Sequence, residues 1–129
     1  MEGVTSRDTI RMTIPALLAY VRLPRVAIAG LATRSGFSYD EVEDLRLAVG
    51  EVCQVLLDGA DRDGTLTIDF TVARGTLGVE VAIDAPAGRH DGLAERLAEQ
   101  ILDATVGKVE VDDDGRRISF SMVAADDDE

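Results

Sequence analysis

The stretch GFSYDEVEDLRLAVGEVCQVLLDGA, residues 36–60, decides the fold. Ser38 followed three residues later by Glu41 is a capping box, the pattern that starts an α-helix by satisfying its free backbone N–H groups. Apolar residues then recur at three- and four-residue intervals, as on one face of a helix: Val42, Leu45, Val49, Val52 and Leu56. The pattern predicts a helix from Tyr39 to Leu57 that packs this face into the core.

A strand and a second helix are predicted before this stretch. Residues 10–14 alternate apolar and polar side chains, as in a strand with one buried face, and Pro15 ends the run. Residues 17–34 carry apolar side chains at helical spacing, but Pro24 lies inside them. A proline inside a helix removes a donor and clashes with the preceding turn. The helix therefore either kinks near Leu23 or begins there with Pro24 in its first turn. Gly36 fits the left-handed residue that often follows a helix.

The remaining chain reads as two hairpins around a helix. Alternating apolar runs at residues 66–72 and 77–83 are joined through Arg74 and Gly75, which predicts an antiparallel hairpin. Helical spacing follows at residues 93–104, and a second hairpin pairs residues 109–111 with 118–122, turning at 113–115. This order predicts an α+β two-layer sandwich, with helices covering one face of a mostly antiparallel sheet. We expect one domain at residues 10–124, a flexible N-terminus at 1–9 and a solvated acidic tail at 125–129.

Composition excludes several classes of function. The formal net charge of −12 argues against direct binding to nucleic acid, because phosphate contacts need clustered Lys and Arg. No apolar run approaches the roughly 18 residues of a membrane span. The opening MEGVTSRDTIRM lacks the order of a secretory signal, so we expect a cytoplasmic protein without membrane contacts. The single Cys53 and single His90 exclude an internal disulfide, a Cys-based zinc site and a His cluster. No metal or cofactor is expected.

Three side chains are candidates for chemistry, and each has a plain structural alternative. Glu51 is either a carboxylate facing a pocket or an exposed helix residue, and its helix position alone favours the second reading. Asp84 ends a strand before a Pro- and Gly-containing loop, so it either faces a ligand or starts a turn. His90 is either an acid or base near neutral pH or a surface residue. Residues alone give no catalytic constellation.

The strongest basic feature of this acidic chain is the arginine group Arg22, Arg25 and Arg34. A spacing of three residues places Arg22 and Arg25 on one helix face. The group serves either solubility and helix-end charge or contact with an acidic partner surface.

Residues 13–60 resemble, without a gap, the N-terminal half of the anti-sigma serine/threonine kinases, bacterial stress and sporulation regulators of the GHKL ATPase superfamily. The phrase GFSYDEVEDLRLAVGE is similar to the helix that leads into that family's N box. A weaker likeness continues through both hairpins and the helix at 93–104. The resemblance implies the Bergerat fold, which agrees with the α+β order predicted from the residues.

The resemblance also implies that the ATP site is degenerate. The family N box reads E-x-x-x-N, with a glutamate that activates the reacting hydroxyl and an asparagine that helps to hold magnesium. Here Glu51 is retained, but the asparagine position holds Val55, which has no oxygen for a hard cation. The family's adenine-binding aspartate and following glycine fall at Ile83 and Ala85. Asp84 lies one residue late, on the opposite face of the strand.

A third loss concerns the ATP lid, since only residues 84–92 separate the last strand of the first hairpin from the next helix. Phosphoryl transfer depends on positioned metal and phosphate contacts. The resemblance therefore implies an anti-sigma factor or partner-switching protein that binds a sigma factor, a STAS-domain anti-anti-sigma factor or both, without phosphorylating the antagonist. The alternatives are a divergent kinase that still binds ATP and a pseudokinase that dimerises with an active paralogue. A homodimer also remains open.

The resemblance assigns the partner contact to the first helix. In sigma-bound members of the family a basic residue on this helix touches the sigma factor, and the ungapped match places Arg25 at that position. Arg22 precedes it by one turn on the same side.

Overall fold

The computed structural model describes residues 7–58, 63–84, 108–112 and 116–125. Its elements are five strands, two α-helices and one 3-10 turn, Leu18–Tyr20. The strands are β1 (Asp8–Pro15), β2 (Thr65–Ala73), β3 (Thr76–Asp84), β4 (Lys108–Val111) and β5 (Arg117–Val123), and the helices are α1 (Arg22–Arg34) and α2 (Tyr39–Leu57). The predicted helix at 93–104, the turn at 113–115 and the acidic residues 126–129 lie outside the described residues.

The strands form one sheet in the order β1-β2-β3-β5-β4, and each neighbouring pair is antiparallel. The hairpin between β2 and β3 turns at Arg74 and Gly75, as predicted, and Gly75 has a φ of 77° that favours glycine. β1 begins at Asp8, two residues before the predicted start, because Asp8 and Thr9 pair with Val72 and Thr71 of β2. The boundary of the N-terminal segment expected at residue 9 is corrected accordingly.

Helix α2 has the predicted bounds and the predicted cap. The Ser38 hydroxyl accepts a hydrogen bond from the Glu41 N–H at 3.2 Å, and the Glu41 carboxylate accepts one from the Ser38 N–H at 2.8 Å. The stripe predicted for the core is buried along its whole length, together with Ala48 and Cys53. Reciprocal capping and a continuous apolar face thus fix where the helix begins and how it is rotated.

Helix α1 begins at Arg22, which places Pro24 in its first turn and settles the two readings of that proline. A proline costs little there, since the N–H groups of the first turn have no partner within the helix. Pro24 is itself buried, one turn before Ile28 and two turns before Ala32, and these three residues form the inner face of α1. After the helix, Gly36 has a φ of 92°, the left-handed conformation expected from the sequence.

The core lies between the two helices and one face of the sheet. Alternate strand residues fill it, among them Leu66, Ile68 and Phe70 on β2, Val79 and Val81 on β3, and Ile118 and Phe120 on β5. The other face of the sheet is polar and carries ion pairs from Arg11 to Asp69 at 2.8 Å and from Arg117 to Glu80 at 3.0 Å. The sheet and helices therefore form the two-layer α+β sandwich that the sequence predicted.

Neither described helix is both long and apolar enough to cross a membrane.

Candidate functional site

The candidate site begins with a small cleft where α1 and α2 meet. Its volume is about 120 Å³, and it is lined by Val21 immediately before α1, by Arg25 of α1, and from α2 by Arg46, Leu47, Gly50, Glu51 and Gln54. The cleft brings together two of the residues singled out in the sequence, the partner candidate Arg25 and the N-box glutamate Glu51. They come from different helices, so only the packing of α1 on α2 makes them neighbours.

At Gly50 of α2, the side chain of Arg25 from α1 lies against the helix. A Cβ atom added to Gly50 would lie 3.4 Å from Cδ and 3.7 Å from Nε of Arg25. The arginine stem therefore lies across α2 at the one residue of this turn that has no side chain. Arg25 remains exposed, so its guanidinium is available to a partner while the stem is supported.

The charges around this cleft are only partly compensated within the described residues. Arg46 donates to both carboxylate oxygens of Glu43 at 3.1 Å. Neither Arg22 nor Arg25 forms a salt bridge with a carboxylate in the described part of the chain. Both are exposed on α1 and one turn apart, as the spacing predicted. The outer face of α1 thus presents two cations that remain free to pair with carboxylates of another molecule.

Apolar side chains surround these arginines on the outer surface of the helix layer. The exposed fraction is 67% for Val26 and 44% for Leu23 on α1, and 50% for Leu47 on α2. Large apolar residues next to arginines are typical of protein-binding surfaces, where arginine is enriched and apolar area supplies affinity.

Glu51 is half-buried and lines the cleft, so it is less exposed than its helix position alone suggested. One turn later, Val55 is partly buried and packs against the core. The resemblance aligns Val55 with the family's magnesium-binding asparagine, and a valine side chain offers only hydrocarbon. This part of the site can position one carboxylate, but Val55 supplies no oxygen ligand for a metal ion.

The residue that the resemblance aligns with the family's adenine-binding aspartate is likewise apolar. Ile83 is 5% exposed and faces the core from β3, opposite Leu66 of β2. Its N–H donates to the Arg116 carbonyl at 2.9 Å, which ties this end of β3 to the chain entering β5. Asp84 is exposed and lies on the other face of the strand, in agreement with the alternation predicted from the sequence. Ala85, His90 and the rest of the segment at 85–92, which the resemblance aligns with the ATP lid, lie outside the described residues.

Cys53 is fully buried on α2, and burial raises the pKa of its thiol to about 12. The thiolate is the reactive form of cysteine, so this residue acts as a small core side chain. Within the described ranges, no group of three or more His, Cys, Asp or Glu side chains is placed to hold a metal ion.

Sequence reasoning missed the contact between Arg25 and Gly50 and the participation of Arg46 and Leu47 in the same surface. The available signal was Gly50 itself. A glycine inside a strongly periodic helix is unfavourable for helix formation, and it often marks a close approach by another group.

Comparison with known proteins identifies the family. The histidine kinase-like ATPase domain matches residues 14–117. The serine-protein kinase RsbW of Bacillus subtilis is 41% identical over 105 residues, covering 79% of this chain and 66% of the relative. The serine-protein kinase RsbW of Halalkalibacterium halodurans is 33% identical over 91 residues, covering 70% of this chain and 56% of the relative. The chain thus spans between about half and two thirds of the length of these relatives.

A solved structure shares the fold. The RsbU and RsbW domains of a Mycobacterium tuberculosis protein match with a TM-score of 0.67 and 12% sequence identity, covering 91% of this chain and 32% of that one. The described sandwich, the family match over most of the chain and the RsbW relatives agree, and they confirm the resemblance to the anti-sigma serine/threonine kinases. The chain belongs to the histidine kinase-like ATPase domain family.

Proposed function

We propose that this chain is an anti-sigma factor or partner-switching regulator that acts by binding and not by phosphorylation. Its partners are a sigma factor, a STAS-domain anti-anti-sigma factor or both, and its setting is the bacterial cytoplasm, where these proteins control transcription. The observation that carries the proposal is the pair Val55 and Ile83. Val55 packs against the core and Ile83 is buried in it, and the resemblance aligns these two residues with the asparagine and the aspartate of the family's ATP site.

The chemistry of phosphoryl transfer explains why these two residues matter. The reaction is catalysed mainly by positioning and by charge stabilisation, with magnesium bridging the phosphates. Magnesium requires oxygen ligands, and Val55 has none. Recognition of the adenine amino group requires an acceptor, and Ile83 has none on its side chain. The loss at Ala85 and the short lid are further predictions from the sequence that point the same way.

Glu51 is the one observation that favours the alternative of a divergent kinase. Its half-buried position in a cleft suits a carboxylate that activates a hydroxyl. General base catalysis nevertheless acts on a nucleophile beside a bound phosphate donor, and a single carboxylate cannot hold that donor.

The proposed partner surface is the outer face of α1 with the adjoining turn of α2. Arg25, supported by Gly50, and Arg22 one turn earlier present guanidinium groups that form no salt bridge within the described residues, next to exposed Val26 and Leu47. A guanidinium can hold a carboxylate through two charge-assisted hydrogen bonds, which lysine cannot reproduce. Because the whole chain carries a net charge of −12, it repels acidic molecules in general. A local arginine pair therefore selects a partner whose carboxylates match its position.

The proposal is tested by purifying the tagged chain from its native cell and identifying the bound proteins by mass spectrometry. We expect a sigma factor or a STAS-domain protein. The recovered STAS-domain protein is then incubated with the chain, magnesium and radiolabelled ATP, with Glu51→Ala as the matched variant. We expect no transfer of label above background for either protein. Transfer that is lost in Glu51→Ala would establish the kinase alternative instead.

A further inference from the structure

The outer edge of the sheet is a long and regular strand. β1 stands first in the strand order, and its pairing with β2 continues without a bulge from Asp8 opposite Val72 to Pro15 opposite Thr65. Alternate backbone N–H and C=O groups of an edge strand point away from its neighbour. Among the described residues, no strand pairs with β1 on that side. In this part of the chain β1 therefore offers backbone donors and acceptors along its outer edge.

The edge has few of the features that usually prevent the addition of a strand. Natural edge strands are protected by short length, bulges, proline or charged side chains. β1 is eight residues long, and its only proline is the last residue, Pro15. Its one basic side chain, Arg11, forms an ion pair with Asp69 of β2 at 2.8 Å. The middle of β1 is thus suited to pairing with a further strand.

A groove lies beside the first half of this edge. It has a volume of about 660 Å³ and is formed by the end of α1, the start of β1 and the end of β2. On the helix-facing side of β1 the exposed fraction rises from 4% at Ile14 to 38% at Ile10, so the start of the strand is less covered than its end. Ile10, Leu31 and Val72 give the groove an apolar lining.

The same groove carries an excess of positive charge in a protein whose net charge is −12. Arg34 and Arg74 line it, and neither forms a salt bridge with a carboxylate of the described residues. Asp8 is the one acidic residue of the described lining. The Gly75 N–H donates to the Ser35 carbonyl at 3.0 Å. This bond connects the hairpin turn that contains Arg74 to the end of α1 that carries Arg34.

We infer that an extended acidic segment of a partner protein binds here by adding a strand to the outer edge of β1. In this binding mode main-chain hydrogen bonds supply affinity and alternate side chains supply specificity. Apolar side chains of the segment contact Ile10 and Leu31, and a carboxylate beside the start of β1 pairs with Arg34 or Arg74. A neutral or basic segment gains the same main-chain bonds but leaves both guanidinium groups without a carboxylate.

The charge of the groove favours a different protein over a second copy of this chain. Antiparallel pairing of two β1 strands places the start of one beside the end of the other. The end of β1 is Thr-Ile-Pro, which supplies no carboxylate to the groove. The groove also shares no lining residue with the cleft that holds Arg25 and Glu51. The two surfaces can therefore be occupied, and tested, separately.

The probe is the synthetic peptide Asp-Glu-Val-Thr-Val-Thr-Val-Thr-Asp-Glu, whose acidic ends suit either direction of pairing. It is titrated into the isotopically labelled full chain at about 20 mM salt, where screening is weak. We expect the amide signals of Ile10, Met12 and Arg74 to shift and to saturate. Arg34→Ala/Arg74→Ala should weaken binding by about two- to thirtyfold, the range for two exposed ion pairs. Arg22→Ala, a loss of charge at the other end of α1, should leave the affinity unchanged.

Two N-methylated versions of the peptide test the strand addition itself. One carries methyl groups on its valine nitrogens and the other on its threonine nitrogens, so each lacks the N–H donors of alternate residues. Only one of these two sets points towards β1 in a paired strand. One peptide should therefore lose binding while the other retains it. Equal affinities of the two, whether high or low, would rule out strand addition.

Three further results would overturn the inference. The first is no saturable shift of the β1 signals up to about 1 mM unmodified peptide. The second is equal affinity for the wild type and Arg34→Ala/Arg74→Ala, which would place the acidic contact elsewhere. The third is a chain that sediments as a dimer which the peptide dissociates, because the edge would then belong to a second copy.

Discussion

Replacing Leu45 by alanine tests the packing of α2 on the sheet. Leu45 is 0% exposed, lies in the buried stripe and belongs to the main core cluster. Truncating a fully buried leucine removes its transfer free energy and leaves a cavity, which together cost about 2–5 kcal/mol. We expect the upper half of this range, because Val49 and Val52 on the next turns are also fully buried and leave little room for the site to collapse.

The expected loss is large enough for a thermal assay. The entropy of unfolding near 60 °C is about 2.1 cal/mol/K per residue, so 129 residues give about 0.27 kcal/mol/K. The upper half of the range, about 3.5–5 kcal/mol, then lowers the melting temperature by about 13–18 °C. Urea unfolding followed by circular dichroism gives the free energy directly, and the slope against urea should remain that of the wild type.

Leu47→Ala provides the matched control, because it makes the same chemical change two residues later on the same helix. Leu47 is 50% exposed, and surface substitutions usually change stability by less than about 0.5 kcal/mol. If Leu45→Ala and Leu47→Ala lowered the free energy of unfolding equally, the assigned orientation of α2 would be wrong.

Three further predictions concern the partner surface, the helix cap and the contact between the helices. Arg25→Glu should weaken sigma-factor binding by about 2–5 kcal/mol, the usual loss for one member of a buried charge pair. The control Arg34→Glu makes the same change of charge on the same helix, and in a pull-down it should bind the sigma factor as the wild type does. Hydrogen bonds from the backbone N–H groups of Ser38 and Ala125 lower the pKa of the Glu41 carboxyl. The contribution of Glu41 to stability is therefore present above its unfolded-state pKa and is lost as pH falls through its folded-state pKa. Glu41→Gln should reduce the loss of stability on acidification in urea titrations, and an unchanged pH profile would contradict this role. Gly50→Ala should raise the free energy of unfolding by up to about 1 kcal/mol through helix propensity, since the new Cβ meets the flexible Arg25 stem at 3.4 Å; a clear loss of stability would contradict this position for Arg25.

Local signals explain how much of the fold could be predicted. The bounds of α2 follow from a capping box and an uninterrupted apolar period, both contained in neighbouring residues. The start of α1 was left open because Pro24 is compatible with a kink and with a first turn. The start of α1 at Arg22, with Pro24 buried in the first turn, decides between them. The early start of β1 depends on its pairing with β2, which lies far along the sequence. The alternation of apolar and polar residues within β1 contains no information about that pairing.

The sequence could predict which residues belong to the candidate site, but not how they are arranged in space. The family resemblance indicated Glu51 and Val55, and strand alternation placed Ile83 inside and Asp84 outside, as the structure shows. The proximity of Arg25 to the glutamate's cleft arises from two helices crossing at Gly50. Periodicity within either helix contains no information about that crossing, so the shared surface required the structure.

Titration of the purified chain with magnesium and ATP in a calorimeter tests the loss of the nucleotide site most directly. We expect no saturable heat up to about 1 mM nucleotide, a concentration that corresponds to about −4.1 kcal/mol of binding free energy. The double variant Val55→Asn/Ile83→Asp, which restores the two missing polar groups, serves as the comparison under identical conditions. A saturable signal from the wild-type chain with micromolar affinity would contradict the account, because hydrocarbon at Val55 and Ile83 would then not prevent ATP binding.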